Sequence, residues 1–300
     1  MTVSDLKLHD IQCYFWHEGE GNRGAIEIGT CIYKYLEQIS EKRNDKDLDV
    51  VLYSDNCCGQ QKNSFIFGMY LFSVQKLTIK SITHKFLIKG HTQNEGDNTH
   101  SVIEKAVKKA MRSGPIYTPN EYVRIIRSAK KTGNPFKVTE LSHSDFLDWK
   151  IVTQQLGSNF TKVVEEEEEN STQENESIVG EEENLDRTMQ DKRKPYNKAR
   201  IQTIKIGDIK VLKVFKSEPR VLYVKTSYEH KEFMKIRVHD VKLKRGGKKK
   251  KPIEVENIIC PPAYSSKIPI TQRKKADILD LIKGNYIPKF YGPLYDSILN

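Results

Sequence analysis

The stretch "VVLYSDNCCGQQKN", Val50 to Asn63, decides how the rest of the chain is read. Its first four residues are β-branched, aliphatic or aromatic, the composition of a buried strand. That strand runs straight into Asp55. A polar turn then leads to "KNSFIFGMYLFSVQKL", which is apolar on nearly every side, as a helix packed inside a domain core is. An acid at the tip of a hydrophobic strand suits a surface Asx turn. It equally suits a metal-binding carboxylate.

The same alternation extends on both sides. "IQCYFWHE" (Ile11–Glu18) reads as a strand, followed by a "GEGNRG" turn. "AIEIGTCIYKYLEQISEK" places Ile28, Cys31, Ile32, Tyr35, Leu36 and Ile39 at helical spacing. "SITHKFLI" is a third strand, and Val102, Ile103, Ala106, Val107 and Ala110 mark an amphipathic helix after it. In "TPNEYVRIIRSAKK", Thr118, Pro119 and Glu121 predict a capped helix start. The order β-α-β-α-β-α-α argues an α/β sheet. Residues 1–150 are therefore expected to form one domain.

Composition then shifts. Eleven acidic residues and no Lys or Arg lie between Glu165 and Asp186, without aromatics. Such a segment cannot bury enough surface to fold, so 151–191 is expected to be an acidic disordered linker. From Lys192 the charge reverses. "IQTIKIGDIKVLKVF", "RVLYVKTSY" and "EFMKIRVHDVKL" alternate with period two, predicting antiparallel strands with one wet face. The region 192–300 is read as a small basic β-rich part ending in helices, the first stopping near Gly284.

The chain has 300 residues, a net charge of +10 and a pI near 9.1, which favours acidic partners, nucleic acid first. A basic protein without such a partner fits the charge equally well. Lys242, Lys244, Arg245, Lys248, Lys249, Lys250 and Lys251 form a run that suits a solvated loop, a nuclear address or a phosphate patch. Five cysteines without a CxxC pair argue against structural zinc and for reduced intracellular thiols. A zinc set of Cys57, Cys58, His84 and His91 is the weakest of the metal readings. "MTVSDLKLHD" has no apolar signal core, and no apolar run approaches a membrane span. No membrane partner is expected. An intracellular protein is, in the nucleus rather than the cytoplasm.

The residues from about Ile11 to Ser113 resemble part of a ribonuclease H-like fold, a three-layer α/β domain. "GNRGAIEIGT" brings Glu27, "LYSDN" brings Asp55, and "KGHTQNEGD" brings His91 and Asp97. More narrowly, Trp16, Glu18, Arg23–Gly24 and Glu27, with "SDNCCGQQKN" and "GHTQNEGDNTHSVIEK", resemble an uncharacterised domain family similar to transposase catalytic domains. The tail "AYSSKIPITQRKKADILDLI" resembles that family's C-terminal end. The resemblance implies metal-dependent phosphoryl transfer on nucleic acid, DNA rather than RNA. Asp55 and Asp97 would hold Mg²⁺ or Mn²⁺, with Glu27 and His91 assisting and Glu104 as the alternative third acid. Against it, "IQCYFWHE" would be the third strand of that fold, and only ten residues precede it. Two strands and one acid are missing from the pattern, and neither Asp5 nor Asp10 lies inside an apolar strand. On this reading the chain is a truncated domain, inactive alone, or a non-catalytic binding module for nucleic acid or protein. The plainer alternatives stand too: Asp97 as a helix cap, and Glu27 paired with Arg23 at i, i+4.

Overall fold

The computed structural model describes residues 1–43, 48–88, 95–163, 202–239 and 253–299. The fold is mixed α/β with two mixed sheets. Strands β1 (Thr2–Asp5) and β2 (Asp10–Phe15) form a hairpin, and β5 (Lys137–Glu140) lies parallel to β2. The second sheet runs β3 (Leu48–Ser54), β4 (Ile79–Phe86), β6 (Val211–Phe215), β7 (Val221–Lys225), β8 (Met234–Arg237). Strands β3 and β4 are parallel; the remaining pairs are antiparallel. The strands expected to share one sheet are thus divided, because β2 pairs with β1 and β5 and makes no ladder with β3.

Helix α1 (Ala25–Arg43) carries its apolar spacing into the core, with Ile28, Cys31, Ile32 and Leu36 buried. Helix α2 (Ser64–Lys76) is buried without interruption from Ile66 to Val74, as its lack of a polar face predicted. The Asn63 side chain caps it by accepting from the amides of Phe65 and Ile66, both at 3.1 Å. Two glycines allow close packing here. A Cβ at Gly68 would lie 2.7 Å from Thr153 Oγ1, and one at Gly29 would lie 2.8 Å from the Trp149 ring.

Helix α3 (Glu95–Ser113) turns Ile103 toward a small cluster of Cys13, Ile126 and Phe136. Helix α4 (Pro119–Ala129) starts with the expected capping box of Thr118 and Glu121. Helix α5 (Trp149–Leu156) follows, and its Trp149, Val152 and Leu156 are completely buried. Residue 150, where the first domain was expected to end, lies in α5, and the described residues run on to Val163. The acidic stretch Glu165–Asp186 and the run Lys242–Lys251 lie outside the described residues.

The C-terminal strands alternate as their period-two pattern predicts, with Leu212, Val214, Leu222 and Val224 buried. They do not build a separate unit. β6 pairs with β4 from Ser81↔Phe215 to Lys85↔Val211, so residues distant in sequence finish the sheet begun by β3. Helix α6 (Gln272–Lys283) stops at Gly284, and α7 (Gly292–Leu299) closes the described chain.

Candidate functional site

Two edge strands, β1 of one sheet and β3 of the other, line one cavity of about 1120 Å³, and neither edge is paired among the described residues. Backbone geometry fixes what each edge offers. Met1 and Tyr14 exchange both hydrogen bonds, so by antiparallel alternation the amides and carbonyls of Thr2 and Ser4 point away from β2. Ser54 O accepts from Leu87 N at 2.8 Å, so Ser54, Leu52 and Val50 bond toward β4, while Val51 and Tyr53 turn their backbone groups outward. Ile28, Ile32 and Ile39 of α1 give the cavity an apolar floor.

Asp55, just past β3, and Asp97, in the first turn of α3, both line this cavity, together with Glu18 and Glu95. In α/β sheets this is the usual place for function, outside the carboxyl ends of parallel strands. Asp97 also sits where a carboxylate complements the positive end of the α3 dipole. Beside it, His100 Nε2 lies 3.4 Å from Thr2 Oγ1, tying α3 to β1. Burial holds the His100 imidazole below its usual range.

The other candidate acids have structural work. Glu27 is 1% exposed. Its carboxylate accepts from the amides of Asn22 (3.0 Å) and Gly24 (2.9 Å) and from the Tyr264 hydroxyl. It caps the start of α1 and anchors the C-terminal segment, and it does not line the cavity. Glu104 is exposed and pairs with Lys108 at 2.7 Å, the next turn of its own helix. Asp5 does line the cavity, but its oxygens take the amides of Lys7 and Leu8 (2.9 Å each) and the Tyr35 hydroxyl (3.1 Å). Asp10 binds Lys137 and Asn134 away from it, and Glu18 pairs with Lys274. His91 and the seven basic residues of Lys242–Lys251 lie outside the described residues.

The "SDNCCGQQKN" loop is clamped from within. Lys62 is 1% exposed, and its ammonium donates to Asn56 Oδ1 (2.7 Å) and Gly207 O (2.6 Å). Desolvation depresses its pKa. Gln61 lines the cavity, and its Oε1 is a buried acceptor with no hydrogen-bond partner among the described residues. His84 is engaged on both ring nitrogens, by Tyr70 and Ser54, which removes it from the zinc set imagined with Cys57 and Cys58. Among the described residues, no three His, Cys, Asp or Glu side chains converge as a metal site requires. The described carboxylates do not form a complete two-metal centre.

A family model described as "Domain of unknown function (DUF7869)" matches residues 11–177, more than half of the chain. The chain belongs to the DUF7869 family. No curated protein and no solved structure matches it. The DUF7869 match covers β2 through β5, α5 and the β3 side of the cavity, but leaves out β1 and ends before the C-terminal strands that complete the sheet. Among the described residues of this DUF7869 protein, no helix is long and apolar enough to cross a membrane.

Sequence reasoning missed three parts of this site. Ser54 and His84 come together only through the β3–β4 register, Leu52↔His84 and Ser54↔Phe86. Gln61 lies in a polar turn with nothing to single it out. The partners of Glu27 include Tyr264, 237 residues away, which no local pattern reveals.

Proposed function

We propose that the chain is a nucleic-acid-associated protein of ribonuclease H-like, transposase-derived descent that binds without cutting. The observation that carries this reading is the shared placement of Asp55 and Asp97 on one cavity, just past a parallel strand and in the first turn of a helix. A net charge of +10 supports a polyanionic partner, with DNA favoured over RNA by the resemblance. A DNA partner would place the chain in the nucleus. Phosphodiester cleavage by two metal ions needs carboxylates that converge on both ions. Several acids line the cavity, but among the described residues no three of them converge as such a centre requires.

The test is the full chain with labelled DNA, RNA and RNA–DNA hybrid, titrated over a range of salt, then incubated with Mg²⁺ or Mn²⁺ beside Asp55→Asn. Expected is binding whose affinity falls with a log–log salt slope of about −0.9 per phosphate contacted on duplex DNA, and no metal-dependent cleavage. Cleavage that disappears in Asp55→Asn would overturn the non-catalytic part. Absence of binding at low salt would overturn nucleic-acid association altogether.

A further inference from the structure

The face of the five-stranded sheet that carries Tyr53, Lys85, Lys213, Tyr223 and Lys235 meets the cavity only at its β3 end. Register defines it: Tyr53 lies opposite Lys85, Thr83 opposite Lys213, and Lys213 opposite Tyr223, which in turn faces Lys235. Side chains alternate across strands, so these share one face, opposite to buried Ile82, Leu212, Leu222 and Ile236. The pattern on it is basic and aromatic. Lys85 Nζ sits 5.5 Å from the Tyr53 ring centre, and Lys213 4.5 Å from Phe215. Lys225 sits 4.5 Å from Phe233, and Lys235 5.6 Å from Tyr223. The rings of Phe215, Tyr223 and Phe233 follow one another at 5.3 and 6.3 Å. Two carboxylates near this face are engaged: Asp49 accepts from Ser81, and Glu218 takes the Tyr223 hydroxyl at 2.5 Å.

We propose that this face binds single-stranded nucleic acid, with bases stacked on the aromatic row and phosphates on the lysines. The inference rests on the nucleic-acid reading above and adds the strandedness and the surface. Magnitudes favour the exchange it requires. A cation–π contact is worth about 0.5–1 kcal/mol when exposed and about 2 kcal/mol when desolvated, and these half-buried pairs lie between, whereas stacking a base on an aromatic side chain is worth about 1–3 kcal/mol. An arriving base therefore displaces the ammonium from its ring, and the freed ammonium meets the adjoining phosphate. Duplex DNA offers no unpaired base to stack. It is read mainly by elements that enter a groove, which a broad sheet face does not do. Five strands at ~4.8 Å spacing give a platform ~19 Å wide. At its far end Tyr53 also lines the acidic cavity, so a strand crossing the face arrives beside Asp55.

The test uses the full chain and fluorescence anisotropy with a labelled oligothymidylate, against a duplex of equal length. The parent is expected to prefer the single strand. Phe215→Leu and Tyr223→Leu keep apolar bulk but remove the stacking surface, and each should weaken single-strand binding ~5- to 150-fold. The half-buried pair Lys213→Gln with Lys235→Gln, on the face opposite Leu212 and Ile236, should flatten the log–log salt slope by ~1.4. Should the aromatic variants misfold by circular dichroism, this pair decides. Parent-like binding by folded variants overturns the face while leaving nucleic-acid association standing elsewhere on the chain. A parent that binds no nucleic acid at low salt overturns both.

Discussion

His84 Nε2 lies 2.8 Å from the Ser54 hydroxyl, which puts a buried imidazole directly behind the tip of the strand that carries Asp55. The proton positions follow from the neighbours. Ser54 Oγ donates to the Asp55 carbonyl at 2.9 Å, so it accepts from His84 Nε2–H. Nδ1 then accepts from the Tyr70 hydroxyl at 2.8 Å. The ring is neutral, and burial, helped by the nearby Lys62 charge, depresses its pKa to about 3.

That pKa carries a pH prediction. A histidine depressed in the folded state is protonated first in the unfolded chain. Its linkage leaves stability undiminished above ~6.5, the ordinary value, and erodes it as pH falls from there toward about 3. The loss accrues at up to ~1.4 kcal/mol per pH unit. Urea unfolding at about pH 7 and about pH 5 should show this erosion in the parent and markedly less of it in His84→Gln. Equal pH dependence in both proteins would show that His84 is not the group responsible.

Glu27 and Asp55 should separate cleanly on substitution. Glu27 is buried and holds two amides and the Tyr264 hydroxyl. Glu27→Ala leaves those donors without their acceptor and should cost about 1–3 kcal/mol. Asp55→Asn, outside the core, should move stability by less than about 0.5 kcal/mol. Chemical denaturation measures both. A stable Glu27→Ala protein would mean that the α1 cap and the Tyr264 tie contribute little.

The loop clamp gives a similar contrast within one motif. Lys62→Met keeps an apolar stem but removes the ammonium that sits 5.0 Å from the Phe86 ring centre, and strands the Gly207 carbonyl and the Asn56 side chain. A loss of about 1–3 kcal/mol is expected, together with faster amide exchange across the Asn56–Asn63 turn. Exchange unchanged from the parent would show that the turn holds without the ammonium.

How much of this was legible beforehand depends on the range of the signal. Apolar period and local capping placed β3, α2, α4 and the C-terminal strands, because those signals are complete within a few residues. Helix α5 escaped notice because its core positions, Trp149, Val152 and Leu156, span only eight residues beside an acidic run. β5 is four residues with one half-buried side chain, too short to show a period. Strand partners are not written in local pattern at all. That β4 meets β6 is a long-range fact, and both the joining of the C-terminal strands to the sheet and the basic–aromatic face depend on it. Asp55 and Asp97 were visible because each sits at a boundary between elements. The buried role of Glu27 was not, since its partner Tyr264 is remote.

The edge of β3, unpaired among the described residues, supports the last prediction. Val51 and Tyr53 are half exposed and turn their amides and carbonyls away from β4, and long unpaired edges invite pairing with another chain. The chain should therefore self-associate with rising concentration, as sedimentation velocity would report. Proline substitution tests the backbone directly, because proline removes one amide donor and is tolerated at a sheet edge. Val51→Pro removes a donor that faces outward, so it should keep the fold and suppress association. Leu52→Pro removes a donor bonded to β4 one residue later, and should destabilise the protein by at least the ~1 kcal/mol of a lost hydrogen bond. If Val51→Pro associates as the parent does, the β3 edge is not the contact. If it unfolds as readily as Leu52→Pro, the assignment of outward and inward amides along β3 is wrong.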